Sequence, residues 1–462
     1  MYKAAHLESL DGMRRLYLLS HLAAVAVYAV AVALLWRLPD DRRLLAIVLG
    51  FGLLYRIVLL PTPLILEDDI YRYLWDGNVV AHGMNPYEFS PIEVVDFRRG
   101  FIDADSDYSA GQRERLRRLA ALLGPPDRTD EQLLYILKEQ INYNSVSTIY
   151  PPLTQLVFAL AYFIGPMDIL PLKMLMVLFE IAGIATGLLI LKELGCKRQL
   201  IVVAAWCPLM LKEFSNSGHH DAVTVFTVSL AAYFLVKNRN TAAGVCIGLG
   251  VLSKYYPAIL LAVFFRRLGV RGLAAAGGVV LVGFLPFIVG AGLGTFAGLG
   301  TFALEWEYNG AVFAVVRNIV WEVLQSAGME RVEAYGLAVK GAKLLWIILV
   351  IGNIGWLAFS RKARSLSPII ILLLVISSLF LFGPVINPWY LGVLAPLAAA
   401  EPVFSILWLL SATPLSYLRD SEWVVPYWVR FVEFVPAFGL LFLDIRRRIA
   451  SGQQETDSKE LS

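Results

Sequence analysis

Charge is what this sequence has least of. Asp, Glu, Lys and Arg make up 17% of its 462 residues, against about 25% in soluble domains. Apolar residues fill the difference at 58%, and the mean hydropathy is +0.65. One soluble core does not absorb a surplus of that size over this length, so the excess must face lipid. A cytosolic enzyme, a fibrous protein and a disordered chain are thereby excluded. Cysteine is nearly absent as well. Cys196, Cys207 and Cys246 sit in or beside apolar runs, with neither a disulfide framework nor metal spacing, and read as small buried apolar residues. The net charge of +3, from 40 basic and 37 acidic residues, carries no nucleic-acid signal.

What is present is apolar helix. Residues 1–15 carry Lys3, His6, Glu8, Asp11, Arg14 and Arg15, and no small-residue cleavage site follows. The run at 16–36 is therefore expected to remain as a helix rather than be removed as a signal peptide. A second run covers 44–66. Further runs follow from Tyr150 onward: 152–165, 171–191, 200–212, 221–236, 241–253, 255–265, 271–291, 338–359, 366–385, 389–417 and 429–445. At about 20 apolar residues per crossing, the expectation is an all-α polytopic membrane protein with about 12–14 membrane segments. The pieces flanking Lys254 are short and read as half-helices or one kinked helix.

Four regions follow: membrane helices at 1–66, a large polar loop at 67–150, a helical module at 151–448 and a polar tail at 449–462. The loop is broken at Gly124, Pro125 and Pro126. Before the break, Leu116, Leu119, Leu122 and Leu123 form one stripe opposite arginines; 131–141 is a second amphipathic piece. Both are expected to lie on the membrane surface. Basic clusters at Lys192/Lys197/Arg198, Lys237/Arg239, Arg266/Arg267/Arg271, Arg361/Lys362/Arg364 and Arg446/Arg447/Arg448 mark a cytoplasmic side. The polar loop, the 213–220 loop, the Lys254 turn, the 292–335 connection and the 387–390 turn then fall outside. That count requires one short run between 151 and 191, such as 152–165, not to span fully.

Polar residues at membrane borders are functional candidates by default, and here they cluster on that outer side. Glu67, Asp68 and Asp69 follow a span directly, ahead of Tyr71, Arg72 and Asp76. Three adjacent carboxylates repel one another and need a cation or water nearby; they suit catalysis or metal binding, with Asp as a helix cap the plainer alternative. Asn85 lies in an Asn-Pro-Tyr turn and Tyr150 precedes a Pro-Pro helix start. His219, His220 and Asp221 offer ligands for a divalent cation, although adjacent histidines at a helix start do not point the same way, so at most one would join Asp221. Capping by Asp221 is the alternative. Lys254, with Tyr255, is isolated in apolar sequence and suits a lipid phosphate. Asn309, Trp389 and Tyr390 belong to polar-aromatic loops fit for a sugar ring or for headgroup anchoring.

Together these residues answer one chemical problem. A lipid phosphate presents an activated group from the membrane, an acceptor hydroxyl arrives from water, a carboxylate takes its proton, and a cation offsets the departing phosphate. Neither a Gly-rich phosphate loop nor a nucleotide fingerprint is present, which argues against a nucleotide-sugar donor.

The stretches EDDIYRYLWDGNVVAHGMNPYEFSP, STIYPPLTQLVFAL, SGHHDA, LSKYYPAILL and INPWYLGVLAPL, in that order, resemble glycosyltransferase family 87 and the GPI-type mannosyltransferases over about 60–400. The resemblance implies a GT-C fold with a large external first loop. It implies transfer of a hexose, commonly mannose, from a polyprenyl phosphate to a glycan or glycolipid acceptor, with inversion, outside the cytoplasm of a plasma-membrane protein. By the same resemblance Asp69 or Asp68 is the general base, Asp69 being preferred, and Lys254 and Arg72 contact the donor phosphate. Glu67, Tyr71, Asn85, Tyr150, His219, His220, Asp221, Tyr255, Asn309, Trp389 and Tyr390 are expected around substrate. A divalent cation stays open. The stretch past Trp389 reads as generic apolar helix. A transporter or flippase for a lipid-linked sugar is the competing reading; it needs no carboxylate triplet, and no matching halves are visible.

Overall fold

The structure, a computed structural model, describes residues 2–102, 108–124, 130–420 and 424–460, with side chains placed between residues 12 and 447. Pro125 and Pro126 of the expected break, and the side chains of the N-terminal charges up to Asp11, of Arg448 and of the polar tail, lie outside the described set. The chain is 78% helical and, among the described residues, without strands. It is an all-α polytopic membrane protein. Among the described residues four helices are long and apolar enough to cross a membrane: Gly12–Arg37, Ile169–Glu193, Phe265–Glu305 and Arg331–Phe359. Six shorter apolar helices accompany them, among them Pro152–Ile164, Asp221–Val236 and Asn240–Ser253.

Against the 12–14 membrane segments expected, these make ten among the described residues, and six of them are shorter than a bilayer. Pro152–Ile164 has 13 residues, about 20 Å of helix against a hydrocarbon core of about 30 Å. Residues 198–216 are not one helix but a chain of 3-10, α and π turns around Pro208. Near Lys254 the chain leaves helix Asn240–Ser253, turns in extended backbone and restarts at Ala258. The half-helix reading holds there. The 292–335 connection differs from expectation, since it contains helices Ala297–Glu305 and Val312–Ser326.

Inside the bundle, one ion pair holds the second helix. Arg56 of Arg42–Leu59 is buried against Glu180, its Nε 3.0 Å from Oε2, and Nη1 donates to the carbonyls of Gly52 and Ala205 at 2.7 and 2.8 Å. Every charge is matched, which is what permits them in a low-dielectric interior.

The polar loop folds into a cap with its own core. Helices Pro91–Arg98 and Ala110–Ala120 each start with a reciprocal capping box, Ser90 with Glu93 and Ser109 with Gln112. Leu116, Leu119 and Leu123 pack with Leu133, Leu134 and Leu137 against Trp75, Val79 and Val94. Leu116, Leu123 and Leu137 are fully buried. The leucine stripe therefore meets protein, where the sequence placed it on lipid: the helices are amphipathic, but their apolar faces are already covered by one another.

Helix Ile70–Ala81 joins cap to bundle. Trp75 and Val79 enter the cap core while Ile70, Tyr73 and Leu74 enter the main core. Gly77 lets it lie backbone to backbone on helix Pro152–Ile164; a Cβ there would sit 2.5 Å from the Phe158 carbonyl oxygen. That contact sets the position of the acidic motif.

Candidate active site

Stretches from 67–72 to 419–430 meet around one cavity of about 820 Å³. The carboxylates come from the connection just before helix Ile70–Ala81. Asp69 stands at the helix N-cap, yet its side chain makes no capping bond, so capping does not occupy it. The carboxylate lines the cavity, with Oδ2 4.0 Å from His219 Nδ1. Glu67 also lines the wall and accepts a bond from the Tyr417 hydroxyl at 3.1 Å. Asp68 turns away from the cavity and accepts from the Asn142 amide.

The environment separates these acids. Burial, then the negative charge of Glu67, raises Asp69 to about 6, with His219, Arg419 and Lys254 pulling the other way. Burial and the charges of Glu67 and Asp69 raise Asp68 to about 7. Burial also works to raise Glu67, but the adjacent His219, then Lys212 and Arg419, outweigh it and leave it near 2. Three neighbouring carboxylates thus carry one firm negative charge and two that titrate near neutrality.

The two histidines follow Gly218, whose φ of +70 makes the turn into helix Asp221–Val236. Contrary to expectation, both point inward at one atom: each Nδ1 lies 3.2 Å from the Tyr73 hydroxyl. Burial opposes charge on His219, but Glu67, Glu213 and Asp69 surround it and its pKa rises. Burial takes His220 down to about 3. The Tyr73 hydroxyl thus bridges the two imidazoles. His219 is stacked on Trp389 at 3.9 Å.

Neither cation proposed for phosphate is alone. Lys254 pairs with Asp221 and lies 3.7 Å over the Tyr390 ring. Asp221 is thus a lysine partner and not a helix cap. Arg72 bonds Asp76 at 2.9 Å and the Val146 carbonyl at 3.0 Å. Both basic side chains still line the cavity.

Tyr150, His220, Tyr255, Asn309, Trp389 and Tyr390 also reach the wall. Asn309 is placed there by paired backbone bonds between Tyr308 and residues 384–386 and by its amide on Glu433 at 2.7 Å. Asp68, Tyr71, Asn85, His219 and Asp221 lie outside the wall. Asn85 is a structural clamp, its amide 2.8 Å from the Phe287 carbonyl and its oxygen accepting from Tyr87 N–H. For a metal, oxygens of Glu67, Asp68 and Asp69 come within 4.8 Å of one another, and among the described residues no group combining His219, His220 and Asp221 does so. By donor type the carboxylates suit a hard divalent ion.

The stretch past Trp389 is far from generic. Arg419, Tyr427 and Arg430 line the cavity, as do Glu307 and Arg317 from the 292–335 stretch. Arg419 acts electrostatically on all three carboxylates. Buried Glu213 and Lys212 stand behind Glu67, both on Tyr417: the Glu213 carboxylate accepts its hydroxyl at 3.0 Å, and the ammonium lies 3.5 Å over its ring. A motif reading passes over such groups because each is a single charge in apolar sequence; isolation within an apolar run was the available signal.

Residues 148–384 match the model of glycosyltransferase family 87. Over 89 residues the chain is 35% identical to GPI mannosyltransferase 1 of Saccharomyces cerevisiae, a stretch amounting to 18% of this chain and 22% of that protein. The chain thus spans less than a quarter of that relative in the alignment. No solved structure matches. His219, His220, Asp221, Lys254 and Asn309 fall inside the family match; the carboxylate triad precedes it.

Proposed function

We propose that this chain, which belongs to glycosyltransferase family 87, transfers a hexose, mannose, from a polyprenyl-phosphate donor to an acceptor hydroxyl with inversion. The observation that carries the reading is Asp69: a carboxylate free of any capping bond, raised to about 6, on the same cavity wall as Lys254. Asp69 takes the proton of the acceptor hydroxyl as its oxygen forms the new bond to the anomeric carbon. The bond from that carbon to the phosphate oxygen breaks on the opposite face. The phosphate leaves with one more negative charge, which Lys254, held in place by Asp221, offsets in a poorly solvated site. Arg72, tied to Asp76, stiffens the wall. Tyr150, Tyr255, Trp389 and Tyr390 supply ring faces for the sugar, and Asn309 a polar contact.

We place the site outside the cytoplasm of a plasma-membrane protein. Helices Asp221–Val236 and Arg331–Phe359 meet the cavity at their starts, next to His220 and at Tyr335, and basic residues follow their far ends, Lys237 and Arg361; Lys237 pairs with Glu193 at 3.0 Å, beside Lys192 at the end of helix Ile169–Glu193. A flippase would need the aromatic and basic groups but gives no task to an uncapped carboxylate. Asp69→Asn is expected to leave the protein folded and its binding of polyprenyl phosphate intact, while mannose transfer from labelled donor falls at least 10²-fold, the scale of general-base loss. Full turnover in both Asp69→Asn and Asp68→Asn would discard the mechanism.

A further inference from the structure

We propose that Arg430, with Arg317 beside it, seats a phosphate ester borne on a lipid chain, in the wall built by helices Val312–Ser326 and Tyr427–Glu460. The inference rests on the reading of the cavity as a lipid-phosphate transferase site and moves the ground-state hold on phosphate away from Lys254.

The basic residues of the cavity are unequal. Arg72 has Asp76, Lys254 has Asp221, and Arg317 has Glu307. Among the described residues Arg430 has no carboxylate within ion-pair distance, and its Nε is buried without a hydrogen-bond partner. Arg317 is close enough for the two positive charges to oppose one another, and both act on Tyr335, whose hydroxyl lies 3.1 Å from Arg317 Nη1. Among the described residues only Arg317 of the two has an ion-pair carboxylate, Glu307; the buried Glu433 acts on Arg430 from beyond ion-pair distance and is bonded to the Asn309 amide. The surplus positive charge in a partly desolvated wall is unfavourable until an anion meets it. A guanidinium fork suits phosphate oxygens better than a lysine point charge does.

The surroundings say that the anion is attached to lipid. On the helix of Arg430, Trp428, Phe431 and Val435 are 56%, 64% and 50% exposed; on that of Arg317, Val315 and Ile319 are each 59% exposed. In a membrane protein these large apolar faces meet acyl chains. Each of these helices therefore presents a guanidinium to the cavity and a lipid-facing surface outward, which fits a ligand with its phosphate in the cavity and its chain in the bilayer. Lys254, neutralised by Asp221, is left for charge that develops only during transfer.

The test uses the full chain in detergent with three probes: polyprenyl phosphate, phosphatidic acid and inorganic phosphate. Polyprenyl phosphate is expected to bind, Arg430→Gln to weaken it at least tenfold, Arg430→Lys to weaken it by a smaller factor, and Lys254→Ala to stay within about threefold. Equal, Arg430-dependent binding of phosphatidic acid would support a seat for lipid phosphates in general; dependence confined to polyprenyl phosphate would support one dedicated to the donor. Unchanged affinity in Arg430→Gln, or inorganic phosphate binding as tightly as the lipids, overturns the proposal. Should Arg430→Gln not fold, a photoreactive polyprenyl phosphate on the wild-type chain decides: labelling at 424–435 and 312–323 supports the seat, and labelling confined elsewhere refutes it. Inactive Asp69→Asn alongside unaffected binding in Arg430→Gln sinks the seat alone. Full turnover in both Asp69→Asn and Asp68→Asn alongside weakened binding in Arg430→Gln sinks the transferase mechanism alone.

Discussion

At the scale of single residues, environment divides labour among side chains of one chemical type. Glu67, Asp68 and Asp69 are consecutive, yet the first is locked as an anion by His219 while the other two are held near neutrality. This has a pH signature. A carboxylate raised to about 6 is protonated below that value and accepts no proton, so transfer should fall as pH drops through about 6 and level off above it. An ordinary exposed Asp would put that limb about two units lower. A kcat/KM profile with full activity at pH 4.5 would contradict the assignment. Legibility in the sequence follows the same line. The triad, Lys254 and Trp389 could be found as polar residues at the borders of apolar runs. Their partners could not. Nothing local links Asp221 to Lys254, 33 positions apart, or Tyr417 to Glu67, 350 apart; only packing makes those pairs. Arg430 escaped because its neighbours read as an ordinary helix start.

Secondary-structure elements show a second division. Periodicity correctly located the amphipathic pieces of the cap, because a leucine stripe opposite arginines is visible in any window of three turns. What a stripe covers is a tertiary fact, and here it covers another stripe. Leu116→Ala should therefore loosen the cap by about 2–4 kcal/mol, the usual loss for a buried leucine. Faster amide exchange across 91–98 and 131–141, in detergent as much as in bilayers, would register it. Unchanged exchange in detergent would mean that lipid, not protein, covers the stripe. Helix Ile70–Ala81 takes part in both cores, so cap damage should also disturb Asp69 at its start. The run expected at 200–212 falls in the broken stretch 198–216, because hydropathy counts composition and not backbone geometry; Pro208 is the local cue.

For the molecule as a whole, sequence composition alone was sufficient for the class: a chain this apolar has to be a membrane protein. Its internal cohesion is less obvious, and the pair of Arg56 and Glu180 is the sharpest instance. Arg56→Met leaves Glu180 buried without its counter-charge and should cost roughly 3–5 kcal/mol, whereas replacing both residues by methionine should recover most of it. Thermal unfolding in detergent separates the outcomes, and equal midpoints for single and double variants would show that the pair does not act as a unit.

The short helices have a consequence for the surrounding bilayer. A 13-residue helix such as Pro152–Ile164 leaves about 10 Å of an average hydrocarbon slab unmatched. Lipids must compress beside such a segment, or headgroups and water must dip inward to meet its end. Either response brings the aqueous boundary down toward the depth at which Tyr73 rests on Phe158. A hydrophilic acceptor then has less ground to cover, and part of the descent is made by the solvent's own frontier bending to the protein.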